Sequence, residues 1–166
     1  MTYLILSCTT IPILVFLAAQ DFKERMIYSF PVLFLSGAWA VHSIMLYRER
    51  PVALILAWII TFALYMVYKL FHIWGDGDSD VFLLFTGIIL CTFEIKNLMQ
   101  FGFLVCICLV TSQVVALIFG FFEAVIQKRK LDRNSDLAVV PGFAMILIVV
   151  IFYGITREGS LICMMK

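Results

Sequence analysis

Asp21, in Gln20-Asp21-Phe22-Lys23-Glu24-Arg25, and Asp78, in Gly75-Asp76-Gly77-Asp78-Ser79-Asp80, stand at the ends of long apolar runs. In a chain that is 64% hydrophobic and 14% charged, carboxylates at such places ask for a functional reading. Two of them brought close in a partly dry site cannot both ionise easily, so one keeps a proton near neutral pH. Such a pair suits hydrolysis. The anion takes a proton from an attacking water, and the neutral member hydrogen-bonds the oxyanion that forms. No metal, cofactor or covalent intermediate is required. Gly75 and Gly77 are expected to turn the backbone sharply and bring it near a substrate, where a Cβ would intrude. Asp78 is expected just ahead of a helix N-terminus, whose dipole favours an anion. Asp76 and Asp80 flank it, as an acidic entrance for a basic ligand or as plain solvated loop residues.

The elements that must hold these groups are membrane helices. A mean hydropathy of +1.08 over 166 residues excludes a soluble domain, and the chain is expected to be one integral membrane domain over 1–166. Spanning runs of roughly 20 apolar residues are read at about 3 to 19, 27 to 47, 52 to 73, 81 to 93, 98 to 122 and 137 to 156. The expected fold is therefore all-α, a polytopic bundle of about six transmembrane helices. The fourth run is short, so its first turn is expected to dip into the bundle. Met1-Thr2-Tyr3 is no basic n-region, and the first run is read as a retained helix.

Charge narrows the partners. A net charge of +1, with no basic stripe beyond one loop, argues against nucleic acid. Arg48, Arg50, Lys96, Arg157 and Lys166 on one side nearly balance Lys23, Arg25, Lys128, Arg129, Lys130 and Arg133 on the other. The clustering of four in one loop tips the loops after helices one, three and five to the cytoplasm. Both termini are then outside, both acidic sites face the cytoplasm, and the basic loop contacts anionic headgroups of the lipid bilayer. The five cysteines show no C-x-x-C spacing and are read as buried thiols.

At these residues the chain resembles the intramembrane aspartic proteases of the G-x-G-D type. Its size and order resemble those of the prepilin peptidases, including archaeal preflagellin peptidases. Gly75-Asp76-Gly77-Asp78 fits the signature. Asp21, Lys23, Arg25 and Ile27 match a D-x-[KR]-x-[RK]-x-I context after the first helix, and Pro141 falls where the last helix of that family often opens. The resemblance implies a catalytic pair of Asp21 and Asp78 and removal of a short basic leader from a prepilin-like protein substrate (pilin, pseudopilin or archaellin). Cleavage would occur at the cytoplasmic face of the inner (cytoplasmic) membrane, in type IV pilus assembly or protein secretion. Only about twenty residues precede Asp21, so peptidase activity is expected without the methyltransferase segment of larger members. The chain departs from the pattern at Tyr28-Ser29 (usually Pro-Asn), at Ala144 (usually a second proline) and at Asp80 (usually a lysine). Asp80 is expected to disfavour the ionised form of Asp78 and to alter the pH profile.

Other readings compete. Asp76 to Asp80 looks like part of a calcium loop, but the position eleven residues after Asp76 is Gly87, where an EF-hand needs glutamate. A non-enzymatic membrane component, such as a scaffold or transporter subunit, would use the acidic loop for binding, although polar groups near mid-membrane look scarce. His72 and Trp74 read as interfacial residues, Glu123 as one that reaches water or pairs locally, and Asp136 as a cap. Oligomeric state is not legible.

Overall fold

The computed structural model describes residues 1–71, 75–126 and 139–164, without the side chains of 76, 126 and 158–164. His72, Trp74, the basic loop from Lys128 to Arg133 and Asp136 lie outside the described residues, as does the side chain of Cys163. Six helices are present and, among the described residues, no strand: α1 (Thr2–Glu24), α2 (Ser29–Leu46), α3 (Pro51–Leu70), α4 (Asp76–Thr92), α5 (Leu98–Ile126) and α6 (Val140–Met164). All but α4 contain a stretch long and apolar enough to cross a membrane.

These five long helices form a closed ring, in which α1 packs on α2, α2 on α3, α3 on α5, α5 on α6, and α6 on α1. The sixth, α4, runs through the middle and touches α2, α3, α5 and α6. Every residue from Ser79 to Thr92 is buried, whereas the ring helices turn large side chains such as Phe16, Phe34, Ile59 and Phe103 outward. Its 17 residues span about 26 Å, short of the roughly 30 Å hydrocarbon layer. A helix sheathed in protein need not match the bilayer, and so it tolerates a polar first turn.

Hydroxyl groups line the ring's interior, and most satisfy themselves. Ser7, Ser36 and Thr61 each donate to the carbonyl four residues back, which hides a polar side chain without needing a partner helix. Others join helices: Trp39 Nε1 donates to Thr10 Oγ1 at 3.0 Å, and Tyr3 and Thr92 hydroxyls meet at 2.8 Å. Interior polarity is thus richer than expected, because it resides in Ser, Thr, Tyr and Trp rather than in charges. The cysteines also depart from expectation. Cys91 is buried and Cys108 half-buried, but Cys8 and Cys106 lie on the outer face.

Element boundaries shift where charge was read as a break. Asp21 lies inside the last turns of α1, and α4 starts at Asp76, five residues before its apolar run. The Gly-Asp segment is a helix start rather than a loop. Neither glycine has positive φ, so the expected sharp turn is absent.

Candidate active site

Helix α1 ends on Arg25, which takes a left-handed conformation (φ 54°) as C-cap while its N–H donates to Asp21 O at 3.0 Å. A left-handed residue ends a helix and redirects the chain, a task usually given to glycine. Arg25 is held in it by its side chain, whose Nη2 donates to both carboxylate oxygens of Glu123 on α5, at 2.5 and 2.6 Å. The redirected chain carries Ile27 over the first turn of α4. A Cβ on Gly77 would collide with Cγ1 of Ile27 and stand 2.9 Å from its Cδ1. Gly77 is therefore needed for close packing between the two acidic segments, not for backbone freedom.

Asp21 is 7% exposed, and its Oδ2 accepts a hydrogen bond from Val140 N–H at 3.1 Å. Val140 is the first residue of α6 and Pro141 the second. The first N–H groups of a helix have no partner within it, and the proline contributes none, so Asp21 serves as an external cap for α6. Such a position suits a carboxylate.

Asp78 is the third residue of α4, half-buried, and folds back over the helix start, where its carboxylate accepts from the Gly75 backbone. A side chain at that position reaching back to the cap residue forms one half of a capping box. A Cβ on Gly75 would stand 3.2 Å from Asp78 Oδ2, so the glycine leaves that return path open. Asp78 belongs to the polar first turn of α4, outside the five spanning segments. Burial and then the nearby Asp21 charge push its carboxyl up to about 6, against the opposing pull of the Gly75 hydrogen bond. Asp21 and Asp78 thus lie at one end of the bundle, close enough to feel each other electrostatically.

Asp80 has a different setting from the one expected. It is 1% exposed, its Oδ1 accepts from Tyr65 Oη at 3.0 Å, and Lys69 Nζ lies 3.6 Å away. Lys69 also donates to Tyr65 Oη at 3.0 Å. The group is neither an exposed entrance nor a loop cap but a buried carboxylate tied to α3 by Tyr65 and by the half-exposed Lys69. Asp76 begins α4, and its side chain lies outside the described residues.

Four residues of this end were not singled out from the sequence in these roles: Val140, Glu123 as the partner of Arg25, Tyr65 and Lys69. Tyr65 and Lys69 had a signal, being four apart on one face at the end of an apolar run that leads into the acidic cluster. Arg25 and Glu123 are 98 residues apart, with no local cue. Among the described residues no three His, Cys, Asp or Glu side chains gather as metal ligands. No protein-family model matches the chain, and comparisons with curated proteins and with solved structures found no match.

Proposed function

We propose that the chain is an intramembrane aspartic endopeptidase that removes short basic leaders from prepilin-like precursors, with Asp21 and Asp78 as its water-activating pair. The observation that carries this reading is the electrostatic proximity of two carboxylates with unlike surroundings at one end of the bundle. Asp21 caps α6 and serves as the anion, whereas Asp78, pushed up to about 6, serves as the proton holder. Water attacks the peptide carbonyl carbon while Asp21 takes its proton, and Asp78 hydrogen-bonds the oxyanion. The C–N bond then breaks as the proton on Asp21 passes to the leaving amine nitrogen.

Charge supports a cytoplasmic site. Lys23, Arg25 and Lys69 belong to the carboxylate end, and the sequence joining α5 to α6 adds Lys128, Arg129, Lys130 and Arg133. Leader recognition falls to Asp76 rather than Asp80, which is already paired with Lys69.

The test is co-expression with a precursor that has a basic leader and a glycine ahead of a hydrophobic run. Asp21→Asn and Asp78→Asn should each abolish cleavage in membranes, and retention of full cleavage by both variants rules the peptidase out. A second reading has its own observation, since both carboxylates accept backbone N–H groups at helix starts. In that case they are structural caps of a non-enzymatic component, and the same Asn variants, which keep an acceptor oxygen, leave its function intact.

A further inference from the structure

A cavity of about 540 Å³ opens at the opposite end of the bundle, where α2 and α4 finish and α1 begins, with Gly154 and Arg157 of α6 on its wall. Tyr3 lines it, eighteen residues before Asp21 on α1, so it lies about 27 Å from the carboxylates along that helix. We propose that this cavity binds one anionic phospholipid, with the phosphate held by arginine and an acyl chain leaving along α2.

Three observations converge. Arg48, Arg50 and Arg157 all line the cavity, and a guanidinium is the side chain best matched to phosphate oxygens. Arg157 is engaged, donating to Thr92 O at 3.3 Å and approaching Glu94 at 3.5 Å. Arg48 and Arg50 are exposed and form no ion pair among the described residues, which leaves them for the ligand. The cavity is also larger than a bare anion needs, within the size range of small-molecule sites.

Its apolar side settles the kind of molecule. Met45 and Leu46 line it and continue into Val41 and Ile44, all exposed on α2, a helix long and apolar enough to span a membrane. A soluble phosphate compound would leave that path unused, whereas an acyl chain would cover it. The connection from Leu46 to Pro51 lies where spanning helices end, at the level of bilayer headgroups. Glu49 on the same rim favours a headgroup with a hydroxyl or ammonium donor beside its phosphate.

The test is native mass spectrometry of the purified full chain with phosphatidylglycerol, with phosphatidylcholine, and with inorganic phosphate. One phosphatidylglycerol should remain bound at activation energies that strip phosphatidylcholine, and inorganic phosphate should not displace it. In an Arg48→Gln, Arg50→Gln double variant that lipid should be lost. Both arginines are exposed, and an unchanged melting temperature in detergent checks the fold. Equal retention by the variant, equal retention of phosphatidylcholine, or displacement by inorganic phosphate each overturns the proposal.

Discussion

Asp21 Oδ2 accepts the N–H of Val140, a residue 119 positions away that opens the last helix. One carboxylate thereby ties the end of α1 to the start of α6 and leaves a single acceptor oxygen for chemistry. Substitution separates the two duties. Asp21→Asn keeps an acceptor and should cost under about 1 kcal/mol of stability, whereas Asp21→Ala removes the cap and should cost about 1 to 2 kcal/mol. Both should be inactive in leader cleavage. Thermal unfolding in detergent beside a cleavage assay tells them apart.

Gly77 should not accept a methyl group while Ile27 is present. Gly77→Ala is expected to destabilise the carboxylate end by about 1 to 3 kcal/mol, the usual cost of overpacking. Adding Ile27→Ala should recover most of that loss, because it removes the atoms the new Cβ meets. A double-mutant cycle with no coupling between positions 27 and 77 would show that they do not touch.

Lys69 and Asp80 should respond unequally. Lys69→Met leaves a carboxylate with 1% exposure held by Tyr65 alone and should cost about 1 to 3 kcal/mol, since the lysine it loses is itself partly exposed. Asp80→Asn frees a lysine whose side chain is 39% exposed and can turn to water, so about 1 kcal/mol is expected. Asp80→Lys sets two cations together, and Lys69→Asp in the same chain should restore the pair. Melting temperatures of the three single variants and the exchange variant rank these effects.

Stability should fall as pH rises through the range of Asp78. Its carboxyl is pushed from 3.8 in the unfolded chain up to about 6 in the fold, so the folded state binds the proton more tightly. Well below pH 4 both states are protonated and nothing is lost; well above pH 6 both are ionised and the folded state carries the full penalty. Asp78→Asn, which keeps the bond from Gly75, should therefore raise the melting temperature at pH 7.5 and change it little at pH 4. The gain is bounded by about 3 kcal/mol and reduced by partial solvation. Cleavage should weaken above about pH 6 as the proton holder empties, with the apparent value belonging to the pair. A flat pH profile from 5 to 8 would argue against the proposed division of roles.

Much of this architecture is written in the order of apolar runs, which places six helices and brings the ends of α1 and α3 to the start of α4. Charge is where reading by pattern loses its grip. Asp21 and Asp76 to Asp80 look like chain breaks because charges usually lie outside apolar segments, yet each is helical, since helix ends accept carboxylates and the ring keeps lipid away from α4. The pairing of Asp80 with Lys69 is likewise hidden, because it depends on which face of α3 turns inward. Nothing local announces the bond between Arg25 and Glu123, and it is what holds the left-handed turn beside Asp21.

The central position of α4 bears on how the protein is made. A segment of 17 residues that begins with three aspartates partitions poorly into lipid by itself, although the helices made before and after it do so readily. Its place in the membrane is created by its neighbours, and α5 and α6 close the ring only after α4 has been synthesised. Val140, whose N–H holds Asp21, is synthesised after both carboxylates, so the cap on Asp21 forms only once α6 has begun. A chain that stops before α6 carries both carboxylates but leaves Asp21 without that partner.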